Sequence, residues 1–213
     1  MFIHGREAYR RNSFLVLYTF YKNILYISCQ YVFGFWSVFS AQVLYEPFIY
    51  QLYNITFTSV PIMYYCLFDF EYDKFASIQS LAANTRKKYF MSNPELYKIG
   101  IDYSCFSFSL FTIYLIYGFI QSTVIYLLAF LMINANDMQP GGKNMGFWIT
   151  GHMVYGTCIL VANLVIMFRY HGYSGWGEWC SIGMSLNFFT ILYWQNYFES
   201  FDQTYYIFNT LFA

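Results

Sequence analysis

Long runs of apolar and aromatic residues alternate along this chain with short polar connections, and the runs are blocked rather than periodic. Residues 14–39, 45–68, 104–133 and 147–168 each exceed the roughly 20 helical residues needed to cross a hydrocarbon layer at about 1.5 Å rise per residue. Residues 176–193 form a further candidate, with Glu178 close enough to its start to sit among headgroups. Residues 205–213 look like a sixth span cut short, because nine residues cannot cross. The pattern predicts an all-α, polytopic transmembrane helix bundle of about five full spans plus a partial sixth.

The connections refine this picture. A turn at 40–44 makes the first two spans antiparallel neighbours. The next connection, from Asp69 to Tyr103, is much longer and carries acidic "FDFEYDK", basic "TRKKY" and then "NPELYKIG", which predicts a short surface helix punctuated by Pro94 and Gly100. "NANDMQPGGKN" is a polar loop with a turn at Pro140, Gly141 and Gly142. No internal repeat, low-complexity tract or soluble domain of ordinary size interrupts the series.

Composition agrees with the pattern, since 58% of the 213 residues are hydrophobic and only 10% are charged, against about a quarter charged in soluble domains. Net charge is formally zero, but the placement of the bases is asymmetric. Arg6, Arg10 and Arg11 precede the first span; Lys74, Arg86, Lys87, Lys88 and Lys98 lie between the second and third; Arg169 lies between the fourth and fifth. If spans alternate, these nine share one side, and only Lys143 lies on the other. The positive-inside bias then places the N-terminus and the 69–103 loop in the cytosol or its organellar equivalent. A secretory leader has a core of about 7–15 residues and a small-residue cleavage site, so the run to Phe39 reads as a retained helix.

Several chemistries find no support. Cys29, Cys66, Cys105, Cys158 and Cys180 are scattered through the spans without a C-x-x-C pair, and read as buried small hydrophobes rather than a disulfide or zinc framework. His152 and His171 lack a second ligand at metal spacing and read as satisfied structural histidines. There is no Gly-x-Ser-x-Gly, Walker loop or glycine-rich phosphate cradle, so the chain alone has nothing with which to hydrolyse a nucleotide, and no catalytic residue is assigned. Trp and Tyr read as interfacial belts and packing, not as a platform for bases; nucleic acid is not an expected partner.

Polar groups inside spans are the informative exceptions, because an ionisable side chain there costs about 2.5–3.5 kcal/mol on insertion scales. Lys22 is the only charge in residues 14–39, with Asn23 and Gln30 on the same span. Its stem could lead the charge back to the headgroups, or the ammonium could meet a buried partner or substrate. In the second span Gln51, Asn54 and Thr58 are spaced by three and four, hence on one helical face, with Ser59 adjacent. Pro61 removes the hydrogen bond to the Phe57 carbonyl and kinks the helix. Such a stripe can line a polar path facing Lys22, or bond helices together for about 0.6–2 kcal/mol per pair. Asn54-Ile55-Thr56 also spells a glycosylation sequon, which at this depth is not expected to be modified.

"HGREAYRRNSFLVLYTFYKN" resembles the start of the fifth membrane helix of P-type ATPases of the phospholipid flippase (type IV) subfamily, and "YQLYNITFTSVPIM" followed by "LFDFEYD" resembles their sixth helix and its cytosolic exit. "NPELYKIG" is similar to the lead into their seventh helix, and "VANLVIMFRYHGYSGW" to the turn between the eighth and ninth. Phe70 stands where glutamine is usual in that family, and Val165 where lysine is frequent. The resemblance implies that residues 1–213 are the C-terminal transmembrane domain, helices five to ten with the tenth truncated. It implies that Lys22 and Asn23 couple lipid occlusion to dephosphorylation, and that Asn54, Thr58 and Pro61 border the lipid path. It further implies ATP and Mg²⁺ for the complete protein, a phospholipid substrate moved to the cytoplasmic leaflet, and an accessory glycoprotein subunit.

The phosphorylation motif, actuator, nucleotide-binding domain and helices one to four of the family are not in these residues. Two readings stay open at this point: the membrane part of an ATP-driven flippase completed by an N-terminal part, or a truncated non-catalytic relative serving as a structural or assembly subunit, which Met1 directly before the first motif would suit.

Overall fold

The computed structural model describes residues 5–69, 91–92, 98–132, 147–170 and 175–195. Every element that can be named among them is helical: α1 (Gly5–Trp36), α2 (Pro47–Leu52), a π-helical turn (Tyr53–Phe57), α3 (Ser59–Phe68), α4 (Lys98–Ile101), α5 (Phe108–Met132), α6 (Phe147–Met167) and α7 (Gly175–Gln195). Helices α5 and α6, of 25 and 21 residues, are long and apolar enough by themselves to cross a membrane. α1 carries its basic cluster and Lys22, the second expected span is divided by the π turn, and α7 is diluted by polar residues. The expected sixth span at 205–213, the loop containing Lys143, the "TRKKY" segment and His171 lie outside the described residues.

Helix boundaries depart from the hydrophobic runs for local reasons. α1 starts at Gly5, so the basic residues before the expected span are themselves helical. The third expected span begins at 104, but α5 starts at Phe108, because the Ser107 hydroxyl accepts the Leu110 amide at 3.2 Å and caps the helix there. Gly100, expected as a break, lies within α4.

α1 packs on α5, α6 and α3, and α7 packs on α6, α3 and the π turn. A side chain at Gly118 of α5 would meet the Tyr21 carbonyl at 3.1 Å, and one at Gly151 of α6 would run into the Leu44 carbonyl, so both glycines permit close backbone approach.

Tyrosine supplies much of the interior. Tyr26 stacks between Tyr45 and Tyr53, with ring centroids 4.5 and 4.3 Å away, and Tyr155 meets it edge-on at 5.7 Å. A buried phenol away from water favours an acceptor, and helix carbonyls have a spare lone pair, although the Tyr26 hydroxyl itself is buried with no partner among the described residues. Accordingly Tyr18 donates to the Ala162 carbonyl (3.2 Å), Tyr45 to Tyr26 (3.1 Å), Tyr53 to Lys22 (3.1 Å), Tyr155 to Ile49 (2.6 Å) and Tyr170 to Pro61 (3.1 Å). These tyrosines are core residues, the packing part of the expectation for Trp and Tyr, and their hydroxyls tie one segment to another.

The connection between α1 and α2 is held by one amide. Gln30 donates to the Gln42 carbonyl at 3.0 Å and accepts from the Leu44 amide at 2.7 Å, so its role is to close this turn. Glu46 then caps α2, accepting the Ile49 amide at 2.8 Å with Pro47 in the first turn. Glu46→Ala should cost about 1 kcal/mol, read as a fall of about 2–4 °C in the detergent-solubilised melting temperature.

Candidate functional site

Pro61 determines the local structure of the second membrane segment. Lacking an N–H, it leaves the Phe57 carbonyl without the donor that a regular helix would supply four residues on. The structure supplies one from another helix: Asn163 Nδ2 of α6 donates to the Phe57 carbonyl at 3.2 Å and to Ser185 Oγ of α7 at 3.1 Å. Just before this point the backbone widens, and the Thr58 amide reaches the Tyr53 carbonyl at 3.2 Å across five residues. The Thr58 hydroxyl donates to the same carbonyl at 2.8 Å, and Ser59 Oγ donates to the Ile55 carbonyl.

The widened turn changes which side chains share a face. Spacing by three and four places Gln51, Asn54 and Thr58 together on a regular helix, but here Gln51 and Asn54 are exposed while Thr58 is fully buried. The expected single polar stripe is therefore split, and only its Thr58 end faces α1.

Lys22 meets that end. Its Nζ donates to Thr58 Oγ1 at 2.8 Å, and the residue is 5% exposed, so the stem does not carry the charge back to the headgroups. Its own carbonyl accepts the Tyr53 hydroxyl, which binds α1 to the π turn a second time. Thr58 Oγ1 thus donates its proton to Tyr53 and accepts from Lys22, which orients its lone pair toward the ammonium. Among the described residues no carboxylate pairs with Lys22, so an ammonium with three donors uses one of them on a neutral oxygen. Among the same residues no hydrogen bond joins Asn23, which is half-buried, or the exposed Asn54 to Lys22.

Two further expectations are refined. His152 bonds through Nδ1 to the Trp148 carbonyl at 2.6 Å, yet its buried Nε2 has no partner among the described residues, so the side chain is only half satisfied. Cys29 and Cys158 are buried with their sulfurs 3.6 Å apart and no disulfide; Cys66, Cys105 and Cys180 are only partly buried. The site residues that sequence reasoning missed are Tyr53 and Asn163. Pro61 announces an orphan carbonyl, and Asn163 is an amide inside an apolar run, but pairing them requires knowing that α6 lies against the π turn.

The family profile "Phospholipid-translocating P-type ATPase C-terminal" matches residues 1–213. Phospholipid-transporting ATPase IH is 29% identical in Mus musculus and 28% identical in Homo sapiens, in each case over 98% of this chain. Phospholipid-transporting ATPase DRS2 of Saccharomyces cerevisiae is 28% identical over 76% of it. The chain spans 17%, 18% and 11% of those three proteins respectively. A lysine buried where a kinked polar helix turns toward it, inside an all-helical apolar bundle, is thus found in a chain that belongs to the C-terminal region of the phospholipid-translocating P-type ATPases.

Proposed function

We propose that these residues form the later membrane helices, five onward, of an ATP-driven flippase that moves phospholipid to the cytoplasmic leaflet. In this reading α1 is the fifth helix, α2 to α3 the sixth, and α5, α6 and α7 the seventh to ninth. All five cross the bilayer, with the N-terminus and the 69–103 loop cytosolic. ATP and Mg²⁺ act in the part of the polypeptide that lies outside these residues, where an aspartyl phosphate forms, since no phosphate cradle is present here. An accessory glycoprotein subunit against the later helices belongs to the same reading.

The observation that carries it is the buried ammonium of Lys22, which has no carboxylate partner among the described residues. A buried cation without a counter-charge is costly, and such groups in membrane proteins mark substrate or ion paths. Phospholipid brings a phosphate, which is the missing partner in charge and in acceptors. Thr58 holds the ammonium in place, and Pro61 and the π turn present Thr58 to it; in this reading Asn23 and the exposed Asn54 border the lipid path.

The test is ATP-dependent transfer of a labelled phospholipid between leaflets of vesicles containing the complete polypeptide. Lipid-dependent transfer should be present, and Thr58→Val should lower it by about tenfold to a hundredfold, the equivalent of one charge-assisted hydrogen bond of about 1.5–3 kcal/mol. Absence of ATP-dependent transfer for every phospholipid tried would favour the truncated, non-catalytic alternative.

A further inference from the structure

At the other end of the pair formed by α1 and α3, well away from Lys22, stands a second polar cluster that the transport reading does not use. Arg10 NH2 pairs with Asp69 Oδ2 at 2.9 Å and with Glu7 Oε2 at 3.0 Å. Its Nε bonds Glu7 Oε2 at 3.2 Å, its NH1 bonds the Tyr65 hydroxyl at 3.0 Å, and NH2 also approaches the Asp69 carbonyl at 3.4 Å. Beside it, Arg11 NH1 donates to the carbonyls of Cys66 and Leu67 at 2.9 and 3.3 Å, in the last turn of α3. The Asp69 carboxylate is fully buried. Burial works against the Arg10 charge, but Tyr65, Glu7 and Asp69 outweigh it and hold the guanidinium above its ordinary range.

The two polar contacts have matching spacings. Twelve residues, about 18 Å, separate Arg10 from Lys22 along α1, and eleven, about 16.5 Å, separate Thr58 from Asp69 on the antiparallel segment. Both rungs close only at one register. A slip of one residue moves a helix by about 1.5 Å and turns its side chains by about 100°, which breaks both. A planar guanidinium that meets both Tyr65 and Asp69 across the helix pair, with Glu7 of its own helix holding its plane, tolerates such a slip less than the Lys22 end, where the ammonium on Thr58 and the Tyr53 hydroxyl on the Lys22 carbonyl are separate single bonds, so the Arg10 end is the one that sets the register.

We propose that Arg10, gripped by Asp69, Glu7 and Tyr65, is a positioning residue for Lys22: it fixes the slide and rotation of α1 on α3 that keep the Lys22 ammonium on Thr58. Its consequence for lipid transport rests on the flippase reading, but the register itself does not. Movement of the α1 N-terminal turns would then reach Lys22 only together with α3, as one body.

Solvent access of the Lys22 amine reads the register directly. The chain in its membrane is treated with a membrane-permeant acylating reagent, and Lys22 modification is quantified by peptide mass spectrometry. Thr58→Ala, which removes the acceptor, shows that the reagent senses this bond. Arg10→Ala and Asp69→Asn should each raise Lys22 modification by about tenfold, a shift equivalent to about 1.4 kcal/mol. Asp69→Glu, which keeps a carboxylate for the guanidinium, should label more slowly than Asp69→Asn, whereas Arg10→Lys, which keeps the charge but loses the planar fork, should label close to Arg10→Ala. Helical content by circular dichroism checks that each variant is folded, and the isosteric Asp69→Asn keeps the test valid if Arg10→Ala is not. Unchanged labelling in Asp69→Asn, or an Arg10→Lys variant that labels no faster than the unaltered chain, would overturn the proposal. Normal lipid-stimulated turnover of the complete ATPase with Lys22→Ala would defeat the transport reading instead, and the register result would stand separately.

Discussion

Replacing Lys22 with methionine should make the helical bundle slightly more stable and, on the flippase reading, the transport cycle of the complete polypeptide much weaker. The ammonium is desolvated and has no carboxylate partner among the described residues, and a charge at membrane depth costs about 2.5–3.5 kcal/mol. Against that stands its hydrogen bond to Thr58, of about 1.5–3 kcal/mol for a charged donor. Methionine fills similar space without charge, and Thr58 keeps its bond to the Tyr53 carbonyl, so no new orphan donor arises. The net gain is about 1 kcal/mol, or about 2–4 °C in melting temperature for a chain of this size. Lipid-stimulated ATP turnover of the complete polypeptide should fall by about tenfold to a hundredfold, because methionine cannot make the charge-assisted hydrogen bond to phosphate. A residue kept for stability would show the reverse pair of results: a lower melting temperature with turnover intact. Opposite signs in the two measurements are the signature of a group retained for function at a cost in stability.

The second large effect is expected from Asn163→Leu. The Phe57 carbonyl, already without its regular helical donor because of Pro61, then also loses the Asn163 amide, which costs about 1–3 kcal/mol. The bond from α6 to Ser185 of α7 disappears as well, for about 0.6–2 kcal/mol. Together about 2–4 kcal/mol should vanish from the thermal unfolding of the solubilised chain. The cause can be isolated in a double-mutant cycle. Pro61→Ala returns an N–H that can reach the Phe57 carbonyl, so in the Asn163→Leu background it should recover part of the loss, while changing stability little when Asn163 is present. Strict additivity of the two substitutions would show that Asn163 does not serve this carbonyl.

How much of this was legible beforehand varies from residue to residue. That Lys22 lies within a helical apolar run was plain, because charge in such a run is rare and visible. Whether it turned to the headgroups or inward was not, since that depends on an acceptor placed 36 residues further along the chain. Pro61 correctly signalled an interrupted ladder, but its structural expression is the π turn upstream and an amide from α6. The three-and-four spacing of Gln51, Asn54 and Thr58 suggested a single face, and the extra residue in the π turn separated them. Periodicity arguments assume 3.6 residues per turn, and a local change in that number cannot be read from the side chains that it displaces.

By itself the sequence determined that this is an all-helical, apolar bundle with a basic flank, a lone internal lysine and a proline-interrupted polar segment, because burial and backbone satisfaction in a water-poor medium leave few alternatives to helices. Tertiary structure alone decided which polar groups meet: Lys22 with Thr58, Asn163 with the Phe57 carbonyl, and Arg10 with Asp69. The reason is physical. Helix formation is satisfied within a segment, whereas each of these pairs joins groups from separate segments, and only the register and rotation of packed helices bring such atoms within about 3 Å of each other.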